Sequence, residues 1–162
     1  MDLKDSGERR QFETGAVRDI CEGKGRCDLL PLEVVSTFLD DPMFVAIYRF
    51  QESGRLASLY VALGLASEKM FSSKADLILE VAHQFEDGAR KYGDNNWQKG
   101  IPVHCYIDSA VRHYLKWLRG DTDEPHDRAF CWNICACIWT CMHHPELNEY
   151  APQEEENEGS GG

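Results

Sequence analysis

The chain has 162 residues, 43% of them hydrophobic, which suits one compact domain with a core of its own. Its 17 Lys and Arg stand against 28 Asp and Glu, a formal net charge of −11 that repels a phosphate backbone and argues against a nucleic-acid polymer as partner. No run approaches the ~20 apolar residues that span a bilayer, and the start MDLKDSGERR lacks a signal-peptide core, so the expected place is the cytoplasm, off the membrane.

Residues 1–11 are charged and read as a flexible N-terminus. The stretch FETGAVRDICEGKGRCDLLP is irregular and rich in turn residues, with Pro31 placed to start a helix. PLEVVSTFLDD, PMFVAIYRFQES and GRLASLYVALGLAS read as successive short helices. Ser73 can cap a longer helix that runs to about Lys91 and stops at Gly93. There Leu77, Ile78, Val81, Phe85, Ala89 and Tyr92 share one face. Asp76, Glu80, His83, Asp87 and Arg90 share the other, with Glu86 at its border.

The loop GDNNWQKGIPVH leads into a helix from about Cys105 to Arg119, with Ile107, Val111, Tyr114, Leu115 and Leu118 on its apolar face. Asp108 and Arg112 are spaced i,i+4 on it and can pair. Gly120 is a stop and Thr122 or Asp123 the next cap; the final helix, about 124–143, is apolar nearly all round and so must be central. The acidic end reads as a disordered tail over 145–162. No alternating strand of convincing length occurs, so the expected fold is all-α, one compact helical domain over 12–144.

Three groups of residues could carry chemistry. His126, Asn133, Thr140 and His144 form a polar stripe on the greasy last helix, either a hydrogen-bond ladder between helices or one wall of a pocket with His126 at its mouth. Carboxylates gather around His83 (Glu80, Glu86, Asp87) and around His126 (Asp121, Asp123, Glu124, Asp127). They are either solvated helix faces or oxygen ligands for Mg²⁺ or Mn²⁺, with Glu124 and Asp127 one turn apart. Lys24, Arg26, Lys91, Lys99 and Arg112 supply positive charge, and Tyr92 and Trp97 could stack a base or pack into the core. GKG is not a complete phosphate-binding loop, since it lacks the full spacing and a preceding strand.

Seven cysteines are an odd number, and Cys131/Cys135 and Cys137/Cys141 point to different sides of one helix. Reduced core thiols are the expectation, with metal or disulfide roles as the alternative.

Taken together, TGAVRD, GKGRCDLLP, FEDGARKYGDNNWQKGIP, YIDSAVRHYLKWLRGD and DEPHDRAFCWN resemble the phage and prophage family of dATP/dGTP diphosphohydrolases (N-terminal domain), over about residues 12–140. That family is similar to the all-α, MazG-like NTP pyrophosphatases. The resemblance implies a metal-dependent pyrophosphohydrolase that converts dGTP or dATP to the monophosphate and pyrophosphate, acting in the host cytoplasm if phage-encoded. Carried over residue by residue, it implies catalytic roles for Lys91, Arg112, His113 and His126, and substrate binding by Lys24, Arg26, Asp28, Tyr92, Asn96, Trp97 and Asn133.

Glu124 and Asp127 fit the second half of the superfamily's carboxylate pattern, while Glu80, His83 and Glu86 stand in place of the first. With Asp108 these are the candidate ligands for Mg²⁺ or Mn²⁺. The expected partner is a purine deoxynucleotide, and a homo-oligomer is left open. Two other functions stay open: a phage protein that sequesters a nucleotide signal without hydrolysis, with the same cations and aromatics but no metal cluster, and a structural helical interaction domain whose polar stripe is only a ladder.

Overall fold

The computed structural model describes residues 8–152. A short antiparallel hairpin, β1 (Arg9–Gln11) and β2 (Val17–Asp19), opens it, with Arg10 opposite Arg18. Six helices follow: α1 (Leu32–Leu39), α2 (Pro42–Ser53), α3 (Leu56–Met70), α4 (Lys74–Tyr92), α5 (Val103–Arg119) and α6 (His126–His143). Single 3-10 turns lie at Cys27–Leu29, Asn96–Lys99 and Pro145–Leu147. The all-α expectation holds. No helix among the described residues is long and apolar enough to cross a membrane.

The helices start and stop where side chains satisfy their free backbone groups. Ser73 Oγ accepts the Asp76 N–H at 3.0 Å to begin α4, and Asp41 Oδ1 accepts the Met43 N–H at 2.9 Å to begin α2, with Pro42 in its first position. Gly93 and Gly120, both at positive φ, end α4 and α5.

The centre is the α5–α6 pair. Tyr106, Ile107, Val111 and Tyr114 of α5 pack with Phe130, Ile134 and Cys137 of α6, all fully buried, and α2 and α3 cover this pair through Phe44, Ile47, Phe50 and Leu59. Asp41 ties the layers together. Its Oδ2 accepts from Tyr114 Oη at 2.5 Å and from Lys69 Nζ at 2.9 Å. Burial alone would raise the Asp41 pKa, but the bonds from Tyr114, the Met43 N–H and Lys69 outweigh it and hold the carboxyl below its ordinary value.

Four local expectations differ from the structure. Residues 9–11 form a strand, although three-residue strands carry no period that a sequence reader can detect. The last helix begins after Pro125, and Asp123 Oδ1 accepts from the His126 ring Nε2 (2.7 Å) where a backbone cap was expected. Ile78 and Leu118, expected on apolar inner faces, are exposed, since α4 turns Leu77, Val81 and Phe85 to the core and the C-terminal half of α5 turns Val111, Tyr114 and Leu115 there.

Lastly, packing continues beyond residue 144. Tyr150 sits edge-on against Phe50, Asn148 Nδ2 donates to Gly54 O at 3.1 Å, and Glu149 accepts the His104 N–H at 2.9 Å. The rest of the expected tail, 153–162, and residues 1–7 lie outside the described residues.

Candidate functional site

A cavity of about 570 Å³ opens between the hairpin, the C-terminal end of α4, the Asn96 turn, α5 and α6. Arg10, Arg18, Lys24, Lys91, Arg112 and Lys116 line it, against Asp19, Asp94 and Glu124. In a chain of net charge −11, this local excess of cations marks the cavity for an anion. Phe85, Tyr92, Trp97 and Trp132 add aromatic walls. Its size is that of a small-molecule site.

The hairpin is fastened to the loop after α4 by one side chain. Asn96 Oδ1 accepts the Val17 N–H at 2.8 Å and its Nδ2 donates to Val17 O at 2.7 Å, so the amide extends β2 like a further strand residue. Beside it, Asp19 accepts from Lys91 Nζ at 2.6 Å and from Tyr92 Oη at 2.7 Å. Burial and this bond push the Tyr92 hydroxyl pKa well above its usual value, which keeps it a donor.

Arg18 crosses the inner wall. Its Nη2 donates to Ser109 Oγ and to Asn133 Oδ1, both at 3.2 Å, while its guanidinium lies over Tyr106 and Trp132, 5.5 and 5.9 Å from the ring centroids. Arg112 pairs with Asp108 at 2.7 Å and donates to Gly25 O. His113 Nδ1 meets His126 Nδ1 at 2.9 Å, and His126 Nε2 meets Asp123 at 2.7 Å. Burial, with His126 and the surrounding cations, lowers the His113 pKa to about 3, so its ring is neutral at pH 7.

Nine of the residues nominated from sequence line the cavity: Lys24, Lys91, Tyr92, Asn96, Trp97, Arg112, His113, Glu124 and Asn133. Asn96, however, spends both ends of its amide on Val17. His126 is buried directly behind His113. Arg26 is exposed and forms a two-pronged pair with Asp28, away from the cavity. The polar stripe of α6 divides: Asn133 reaches the cavity, whereas Thr140 lies 3.4 Å from Tyr106 Oη and His144 Nε2 meets Gln98 O at 2.9 Å as inter-element ties.

The carboxylates expected to share Mg²⁺ do not converge. Glu80 lies 3.9 Å from Arg128, Glu86 pairs with Arg90 and His83 on the exposed face of α4, Asp108 is neutralised by Arg112, and Asp127 accepts the Arg128 N–H. Each is drawn to a nearer cation or N–H.

Among the described residues, two groups bring donor atoms within 4.8 Å of one another: His113/Glu124/His126, and Asp121/Asp123/His126. Either donor set is compatible with a divalent cation, and only the first reaches the cavity, through His113 and Glu124. Two imidazoles with one carboxylate suit a transition ion better than Mg²⁺, which favours oxygen ligands. The seven cysteines are all unpaired by disulfides, as expected, with Cys105, Cys131 and Cys137 buried.

A family model described as dATP/dGTP diphosphohydrolase, N-terminal, matches residues 67–150. The chain belongs to this family. The family name carries dATP/dGTP diphosphohydrolase activity at the level of the domain. No curated protein and no solved structure matches the chain. The matched segment spans α4 to α6 and contributes Lys91, Tyr92, Arg112, His113 and Asn133 to the cavity, while Arg10, Arg18, Asp19 and Lys24 come from the chain before it. Arg18, Asp19 and Trp132 were not nominated from sequence. The one signal for Arg18 was its place in TGAVRD, a charged residue amid turn-formers.

Proposed function

We propose that the cavity binds a purine deoxynucleoside triphosphate and that the protein hydrolyses it to the monophosphate and pyrophosphate, in phage nucleotide metabolism. One observation carries this reading: a cationic, aromatic-walled cavity in a strongly acidic chain, bordered by six Lys and Arg side chains. A nucleotide offers the matching halves, negative phosphates and a flat base.

In this reading Lys24, Lys91 and Arg112 neutralise the phosphates, and the charge that develops as the bond between the α-phosphorus and its bridging oxygen breaks. Tyr92, Trp97 and Trp132 hold base and sugar. Glu124 with His113 and His126 would hold a divalent cation, for which Mn²⁺ fits this donor set better than Mg²⁺. Such an ion, when bound, supplies charge stabilisation and a more acidic water. Hydrolysis itself joins the oxygen of water to the α-phosphorus as the bond to the bridging oxygen breaks, pyrophosphate leaves towards Lys24, Lys91 and Arg112, and the proton passes to solvent.

Nucleotide capture without turnover is the second reading. It is favoured by the dispersal of Glu80, Glu86, Asp108 and Asp127 onto Arg and backbone partners, which leaves many cations but few carboxylates at the cavity.

Incubation of the purified chain with each deoxynucleoside triphosphate, with and without Mn²⁺, separates the two by product analysis. Monophosphate and pyrophosphate from dGTP or dATP support hydrolysis. Tight binding with no product supports capture, and no binding removes both.

A further inference from the structure

Among the described residues, four buried side-chain nitrogens have no hydrogen-bond partner: Arg10 Nε, Arg18 Nη1, Arg112 Nε and Trp132 Nε1. All four belong to residues that line the same cavity. All four are N–H donors. A buried donor without an acceptor costs free energy, so a cluster of donors alone marks the place of an acceptor-rich ligand.

Arg18 is the most unusual of them. Lys91 and Arg112 each pair with a carboxylate, Asp19 and Asp108. Among the described residues, Arg18 instead meets the neutral oxygens of Ser109 and Asn133 and two aromatic faces, and pairs with no carboxylate. Its positive charge is therefore held inside the fold without a counter-charge, an arrangement that an anion would offset. The backbone that presents it is fixed, since Val17 is clamped by Asn96 on one side of Arg18 and Asp19 by Lys91 and Tyr92 on the other. A guanidinium fork so held suits a phosphate better than a flexible lysine would.

We propose that Arg18 binds the phosphate oxygens of the ligand at the inner wall of the cavity, and that the β1–β2 hairpin, which precedes the family-matched segment, completes the anion site by carrying it. The inference rests on the nucleotide reading of the cavity and assigns its phosphate-holding group. Trp132 Nε1 and Arg112 Nε offer further donors around the same space.

Calorimetric titration of the full chain with tripolyphosphate and with dGTP, chelator present, tests this. The wild type is expected to bind both, and Arg18→Met to weaken both about tenfold or more, the loss of charge-assisted hydrogen bonds. Arg18→Lys, which keeps the charge inside, is expected to fold and to restore only part of the affinity because it lacks the fork. Should Arg18→Met fail to fold, Arg18→Lys and the wild-type guanidinium ¹⁵N resonances on titration with tripolyphosphate still decide: a shift at Arg18 supports the proposal and an unmoved Arg18 signal overturns it. Wild-type affinity for tripolyphosphate in the folded variants overturns the inference alone, with dGTP binding by the wild type leaving the nucleotide reading intact. A wild type that binds neither ligand overturns both.

Discussion

Asn96 gives both ends of its side-chain amide to one residue 79 positions earlier, accepting from the Val17 N–H at 2.8 Å and donating to Val17 O at 2.7 Å. This contact sets the hairpin against the loop after α4, and with it the direction from which Arg18 and Asp19 enter the cavity. Asn96→Ala leaves two backbone groups of β2 without partners, a cost of ~1–3 kcal/mol. Urea denaturation is expected to show that loss, together with faster amide exchange at Val17 than in the wild type. Unchanged stability and exchange would mean that the hairpin is held by other contacts.

Gly54 ends α2 at φ +68, and a Cβ placed there would lie 2.6 Å from the backbone of Ala151. Gly54→Ala therefore combines left-handed strain, ~1–2 kcal/mol, with a clash against the segment that docks Tyr150 on Phe50. A lower melting temperature is expected, accompanied by increased proteolysis near residue 150. A variant as stable as the wild type would show that the segment moves aside without cost.

The His104 pKa is raised to about 10 by its bonds to Cys105 and to Glu149. A group that holds its proton more tightly when folded stabilises the fold fully below the unfolded value near ~6.5, and loses that contribution as pH rises through the folded value. Stability is therefore expected to fall between about pH 6.5 and pH 10. Glu149→Gln should flatten that decline, as read by thermal melts across the range. An identical alkaline slope in the variant would contradict the assignment.

Tyr114 donates to Asp41 Oδ2 at 2.5 Å inside the core, where Lys69 is the other partner of that oxygen. Tyr114→Phe removes a hydrogen bond to a buried charge, a loss of ~1.5–3 kcal/mol. The folded carboxyl pKa of Asp41 should also rise, since one of the bonds that lowers it is gone. Carboxylate resonances followed through an acid titration would show the shift.

Helix α4 was legible in the sequence because cap and period agree there: Ser73 and Gly93 bracket a run whose Leu77 and Val81 are buried. Helix α5 was legible from its apolar face and its stop at Gly120, and α6 from its long apolar run, though not from its expected cap. The hairpin was not, because Arg9–Gln11 and Val17–Asp19 are too short to alternate and are placed by Asn96, a tertiary partner. At the site, Lys91, Tyr92, Arg112 and Asn133 were found because they fall in recognisable strings, and the fold brings them to one cavity. Arg18 also lies in such a string, TGAVRD, but a lone arginine there has no spacing that marks a role for it. The carboxylates misled for a related reason. Glu80, His83 and Glu86 show the same helical spacing on a solvated face as in a metal site, and only Arg90 and Arg128 across the surface tell the two apart.

The central claim is that the cavity between the hairpin and α4–α6 holds a purine deoxynucleotide through its cations. Calorimetric titration of the wild type and of Arg112→Met with dGTP, at low salt and with Mn²⁺ withheld, tests it most directly. The account predicts saturable binding to the wild type, weakened about tenfold or more in the variant and by added salt. No heat of binding to the wild type, or equal affinity in wild type and variant, would contradict it.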